Sequence, residues 1–250
     1  MRKKVALFGC GRLGSVIADA IYQNKVSGAE LDCIFCRNSE KAEELRAKYN
    51  CTVVTDMQAF LAAHPDIIIE AVTPDALREI GPELVSGGAD LIVLNTGVFV
   101  DEAFKTQMEK AANEHGSHIY LASGVVGGFD IIRTAALMGG AQVKFSNRAP
   151  KGIKTPLSEY LKDGFEGNAV DAYHRFYKHM NVIGAVAFAS GDPENTTASI
   201  GEGDPPGFEV EVVGPFGKAR IHTMLGKAGL AMATWSVIAV LDRITGTISF

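Results

Sequence analysis

Three glycines near the start of the chain carry the first chemical message. Gly9-Cys10-Gly11-Arg12-Leu13-Gly14 spells G-x-G-x-x-G. The first glycine permits a tight turn, the second lets a pyrophosphate approach the backbone, and the third lets helix and strand pack closely. The triplet follows the apolar run Val5-Ala6-Leu7-Phe8 and opens a helical spacing over 13–22. That is the setting in which free helix N–H groups can hold the phosphates of a dinucleotide. Gly9, Gly11, Arg12, Leu13 and Gly14 are therefore expected to bind one. An NAD-preferring site places Asp or Glu at the end of the second strand, roughly 20 residues beyond the glycines. Here that position reads Cys36-Arg37-Asn38-Ser39, and Glu30 and Asp32 lie too early to substitute. Arg37 with Asn38 and Ser39 suits a 2′-phosphate, so NADP is expected in preference to NAD.

The chain has six histidines to consider for proton transfer. Strand alternation puts Lys218, Arg220 and His222 on one face, opposite the Glu209 and Glu211 pattern, which reads as a solvated charged face. His64, His115, His118 and His174 read as surface or helix-end residues. His179 falls in a helix–helix turn two residues before Asn181 and is the best placed for catalysis. Four cysteines lie at 10, 33, 36 and 51. Cys33 and Cys36 form a C-x-x-C inside an apolar strand with no second half to complete a metal site, so neither a metal nor a disulfide is expected there.

The elements that must position these groups alternate over the first hundred residues. Strands are expected at 4–8, 31–36, 52–54, 66–71 and 90–95, with helices at 13–22, 39–48, 57–63, 74–86 and 101–115. Ser39 is the expected N-cap of the second helix. The unbroken apolar runs Ile67-Ile68-Ile69 and Leu91-Ile92-Val93-Leu94 suit parallel strands buried on both faces. The series predicts an α/β fold with a Rossmann-type doubly wound parallel sheet, in which ligands bind beyond the carboxyl ends of the strands. The strand-end turns Ala71-Val72-Thr73 and Asn95-Thr96-Gly97 are thus candidates for ribose and nicotinamide contacts. Past residue 118 the texture changes. Gly-rich 123–128 leads to a helix at 129–138. Strands follow at 142–147, 209–213 and 218–223, the last two a hairpin, with helices near 168–177 and 182–189. A last apolar helix at 229–241 should return to the first domain. We expect a dinucleotide-binding domain of 1–122 plus 225–250 and a smaller substrate and dimerisation domain of 123–224. Residues 190–206 read as the most flexible segment.

Bulk properties narrow the function. A 250-residue chain with 47% hydrophobic and 21% charged residues has ordinary globular composition. A net charge of −5 argues against a nucleic-acid partner. The basic start Met1-Arg2-Lys3-Lys4 precedes an apolar run too short for a secretory segment or a membrane span. A cytoplasmic protein with no membrane partner is expected.

With these motifs in order, the chain resembles the L-aspartate dehydrogenase family. The resemblance rests on the glycine triplet, on Ile69-Glu70-Ala71-Val72-Thr73-Pro74 and on Gly88-Ala89-Asp90-Leu91-Ile92-Val93-Leu94. It continues through Ser123-Gly124-Val125-Val126-Gly127-Gly128-Phe129-Asp130, Phe165-Glu166-Gly167-Asn168-Ala169, Met180-Asn181-Val182 and Asp204-Pro205. The Ser-Gly-x-x-Gly-Gly run is the most specific of these. The resemblance implies an NAD(P)-dependent oxidoreductase acting on a small amino acid, 2-oxo acid or imine. It implies dinucleotide contacts from the Val125 backbone and the Asn181 side chain, and a homodimer built through the second domain, which also shapes the substrate cleft. Capping the helix that begins near 182 is the competing role for Asn181. Ser123, Gly127 and Gly128 are substrate candidates, since N–H groups at a helix start can hold a carboxylate.

The chemical half of the resemblance is weaker. The family's catalytic His belongs just before the Glu-x-Glu strand, and Phe208 stands there. Phenylalanine cannot move a proton, so either another residue serves or the substrate differs from aspartate, with Phe208 a candidate substrate contact. Lys227, in a degraded loop motif, is a candidate clamp for a substrate carboxylate or else a solvated lysine. Two further readings remain open: a reductase for a less polar imine or carbonyl, and a dinucleotide-binding protein without catalysis.

Overall fold

A computed structural model describes residues 2–150, 163–177, 180–226 and 229–249. The chain clusters as two compact units, one of Met1–Asn95, Ala103–Ala122 and Ala231–Phe250, the other of Thr96–Glu102 and Ser123–Leu230. Relative to the expected division, Thr96–Glu102 groups with the second unit and the return falls at 230/231.

In the first unit, β1 (Lys3–Phe8), α1 (Arg12–Tyr22), β2 (Ala29–Phe35), α2 (Ser39–Lys48), β3 (Thr52–Val54) and α3 (Met57–Leu61) form one winding. A second winding contains β4 (Ile67–Glu70), α4 (Pro74–Val85), β5 (Asp90–Val93), α5 (Glu102–His115) and β6 (Ile119–Leu121). The six strands run parallel in the order β3-β2-β1-β4-β5-β6. The order reverses between β1 and β4, and that reversal opens the ligand crevice of a doubly wound sheet. Ile67, Ile68 and Ile69 of β4 and Leu91, Ile92 and Val93 of β5 are all buried, as strands covered on both faces must be. Burying each such side chain contributes about 1.5–3 kcal/mol.

The second unit contains a 3-10 helix (Thr96–Val100), α6 (Phe129–Met138), β7 (Gln142–Ala149), β8 (Phe165–Asn168) and α7 (Ala169–Arg175). Then come α8 (Asn181–Ser190), β9 (Thr197–Glu202), β10 (Gly207–Gly214) and β11 (Gly217–Thr223). Its five-stranded sheet has the order β11-β10-β7-β9-β8 and is mixed: β7 and β9 are parallel, the other pairs antiparallel. The last helix, α9 (Gly229–Thr245), places Val237, Ile238, Val240 and Leu241 in the same core cluster as Val5, Leu7, Ile17 and Ile69 of the first unit.

Three expectations need correction. The segment 190–206 contains β9, whose Ala198, Ser199 and Ile200 are buried inside the second sheet. Its Thr and Ser content disguised a strand flanked on both sides. Asn38, not Ser39, caps α2, its side chain accepting a hydrogen bond from Lys41 N at 2.8 Å. Asn181 lies inside the first turn of α8, whose N-cap is Met180.

Candidate active site

The three glycines of the first turn do separate jobs. Gly9 has φ +117°, and a Cβ there would lie 2.5 Å from the Ala71 carbonyl oxygen and 2.8 Å from Val72 Cγ1. A Cβ on Gly14 would fall on the carbonyl oxygen of Gly9. These two glycines let β1, α1 and the turn after β4 close on one another. Gly11 is different. A Cβ there meets nothing within 4 Å. Gly11 is also the N-cap of α1, which has no side-chain cap and no acid in its first turn. The first N–H groups of α1, at the positive end of its dipole, therefore face space rather than protein. Arg12 is exposed beside them and Leu13 half-buried.

The turn after β2 stands next to this loop. Arg37 is exposed and makes no ion pair among the described residues. The Asn38 side-chain oxygen is committed to its cap, and Ser39 begins α2. The expectation that Cys36 forms no disulfide is overturned here, by a partner outside the C-x-x-C. Cys36 is disulfide-bonded to Cys10, with 5.4 Å between the Cα atoms, while Cys33 and Cys51 are free. Parallel pairing of Phe8 with Phe35 carries the chain forward on both strands, so residues just past the two strand ends become neighbours.

Under the turns after β4 and β5 lies a fully buried carboxylate that the motif reading did not single out. Glu70 Oε1 accepts from Val72 N (2.8 Å) and Asn95 Nδ2 (2.6 Å). Its Oε2 accepts from Asn95 N (3.0 Å) and Leu94 N (3.1 Å). Asn95 Nδ2 also donates to the Val72 carbonyl at 3.0 Å. Burial pushes the carboxyl pKa above its ordinary value, against the pull of the N–H groups aimed at it. Four donors facing two oxygens are the partners of a carboxylate. Glu70 thereby fixes Ala71, Val72 and Asn95, with Thr73 following as the N-cap of α4. Its acidic side chain at the end of an apolar strand was the available signal.

In the second unit, Thr96 Oγ1 donates to the Asn181 carbonyl at 2.7 Å. A Cβ on Gly97 would sit 3.1 Å from Asn181 Oδ1 and collide with the Tyr173 ring; one on Gly184 would lie 2.6 Å from Gly97 N. Thr96, Gly97 and Asn181 are thus drawn together by two glycines and a buried tyrosine, Tyr173 and Gly184 being partners that pattern reasoning missed. Ser123 is half-buried and Val125 buried. Gly128, at φ +76°, is the N-cap of α6 with no side-chain cap, and Gly127 before it has open space at its Cβ position. Phe208 is half-buried on β10, its ring 6.4 Å from that of Phe145. On β11, Lys218 and Arg220 pair with Glu211 at 2.7 and 2.9 Å, and exposed His222 lies opposite Glu209. This is a solvated charged ladder.

Residues 9–122 match the protein-family model described as "Homoserine dehydrogenase, NAD binding domain". An L-aspartate dehydrogenase of Methanosarcina acetivorans is 31% identical over 232 residues, covering 86% of this chain and 85% of that protein. The chain belongs to the L-aspartate dehydrogenase family. The Methanothermobacter thermautotrophicus L-aspartate dehydrogenase is 26% identical over 251 residues, covering 98% of this chain and 96% of its own length. The crystal structure of aspartate dehydrogenase from Thermotoga maritima has the same fold, with TM-score 0.78, 16% identity and full coverage of both chains. The chain is accordingly an NAD(P)-dependent oxidoreductase of the aspartate dehydrogenase type. His179 and Lys227, the two catalytic candidates, lie outside the described residues. Among the described residues no group of three His, Cys, Asp or Glu could hold a metal, and no helix is long and apolar enough to cross a membrane.

Proposed function

We propose that this member of the aspartate dehydrogenase family moves hydride between NADP(H) and a small amino acid or its 2-oxo acid imine other than aspartate. The observation that carries the cofactor reading is the open space at Gly11, where a dinucleotide pyrophosphate can approach the uncapped start of α1. A bound dinucleotide would supply the hydride. The chain supplies the rest: Gly9, Gly11, Arg12, Leu13 and Gly14 hold the pyrophosphate, and Ala71, Val72, Thr73 and Asn95, set by Glu70, line the ribose and nicotinamide. Thr96, Gly97, Val125 and Asn181 complete the cofactor contacts, and Ser123, Gly127 and Gly128 offer N–H and hydroxyl donors to a substrate carboxylate. His179 is assigned proton transfer and Lys227 carboxylate binding. The same reading takes the protein to be a cytoplasmic homodimer.

Phe208 supports a change of substrate, because an aromatic ring at the family's His position offers an apolar contact in place of a hydrogen bond. The same ring, beside Phe145, favours a less polar imine or carbonyl as the second reading. Both readings are tested by following the loss of NADPH absorbance with a panel of 2-oxo acids plus ammonia and of apolar carbonyl compounds. Turnover is expected with at least one of these, and faster than with oxaloacetate. Oxaloacetate as the best substrate would end the case for altered specificity. Binding without turnover across the panel would favour a non-catalytic role.

Arg37 supports NADP over NAD, since a guanidinium can pair with a 2′-phosphate by charge-assisted hydrogen bonds. Arg37→Ala should weaken NADPH binding about tenfold, ~1.4 kcal/mol, and leave NADH binding nearly unchanged in a nicotinamide fluorescence titration. Tighter binding of NADH than NADPH by the unmodified protein would refute the preference.

A further inference from the structure

Cys10 stands between the first two glycines of the fingerprint, and Cys36 is the residue just past β2. The disulfide between them joins two walls of one site. In a doubly wound sheet the adenosine ribose lies between the first glycine turn and the end of the second strand. The bond holds the Cα atoms of those walls 5.4 Å apart and fixes the backbone next to Arg37. As a staple for the fold it is redundant. Cys36 is already held by its N–H to the Val54 carbonyl at 2.9 Å, and Cys10 follows a strand paired on both sides.

The remaining cysteines are poor competitors for oxidation. Burial pushes the Cys33 thiol up to about 12 and the Cys51 thiol to about 11, so neither is a thiolate at neutral pH. Cys10, in contrast, is half-buried and sits just before the positive end of α1, whereas Cys36 is 1% exposed. A partly exposed sulfur at a helix start with a buried partner is the arrangement of an attacking and a resolving thiol.

We propose that Cys10 and Cys36 form a reversible thiol–disulfide modification site that takes a low-molecular-weight disulfide as oxidant and, when closed, weakens dinucleotide binding. The proposal rests on the reading that the dinucleotide lies over Gly9 to Gly14. The Cys10 thiolate attacks one sulfur of the oxidant, whose S–S bond breaks and releases one half as a thiolate. The Cys36 thiolate then attacks the Cys10 sulfur and releases the second half. The two cysteines lose two electrons and two protons, and the oxidant gains them as two thiols. The reverse exchange with a dithiol leaves β1 and β2 paired and frees the Cys10 turn, which lies past their last pair Phe8–Phe35, to adjust around the ribose.

The test uses the full chain, fully reduced with dithiothreitol or oxidised with glutathione disulfide and freed of reagent. The linkage is mapped by mass spectrometry, and NADPH affinity is read by fluorescence. Oxidation should produce the Cys10–Cys36 linkage and raise the Kd about tenfold or more, and dithiothreitol should reverse it. Cys36→Ser, or Cys10→Ser should the first variant not fold, should make the affinity indifferent to oxidant. Equal affinities of the two mapped forms, a linkage other than Cys10–Cys36, or a response retained in the serine variant would overturn the switch alone. Failure of both forms to bind would overturn the dinucleotide site and the switch with it.

Discussion

Glu70→Gln is expected to destabilise the protein by about 3 kcal/mol and to weaken NADPH binding about tenfold. The substitution keeps the shape of the side chain and removes one acceptor. Each Glu70 oxygen faces two donors: Val72 N with Asn95 Nδ2 on one side, Leu94 N with Asn95 N on the other. Whichever way a glutamine amide turns, its NH2 points at two N–H groups that lose their acceptor in a site closed to water. Each buried donor so orphaned costs about 1–3 kcal/mol. The binding loss follows because the turns after β4 and β5 take their register from this carboxylate. Urea denaturation measures the first effect and fluorescence titration the second. A variant as stable as the parent would show that Glu70 is not the tie between the two strand ends.

Gly11→Val should do the opposite: abolish binding and spare the fold. Gly11 has φ −69°, which any residue adopts, and a Cβ there meets nothing within 4 Å. A valine side chain would fill that space and bar the pyrophosphate from the first N–H groups of α1. An increase in NADPH Kd of about a hundredfold, ~2.7 kcal/mol, is expected, with the melting temperature little changed. Gly9 is the contrast. Its positive φ and the Ala71 carbonyl 2.5 Å from any Cβ make a substitution there a folding defect. Binding that survives in Gly11→Val would remove the central support for the cofactor site.

The cofactor half of the molecule was legible because its signals are local. Three glycines, two unbroken apolar runs and an alternation of strand and helix spacing each arise within a few residues. Ser39 to Lys48 could be read to the residue, since an acidic front and a basic end flank it. What stayed hidden depends on partners far along the chain. The Cys10–Cys36 bond follows from the parallel register of β1 and β2, which no single segment encodes. The role of Glu70 needs donors from a strand 25 residues later. β9 escaped notice because its small polar residues, Ser199 among them, are buried by β7 and β8 on either side. Thr96 and Asn181 meet across 85 residues only because Gly184 allows α8 to touch the 3-10 helix backbone.

The return of α9 to the first core has a consequence for how the protein is made. Val237, Ile238, Val240 and Leu241 share a cluster with residues of β1 and α1. A ribosome delivers those strands and helices first, and synthesis must pass residue 241 before that cluster is complete. Domains otherwise tend to fold as they emerge. In this chain the core begun by β1 and α1 is completed only once α9 has been made. A message truncated late would therefore yield a product that carries every glycine of the fingerprint and still lacks a closed core.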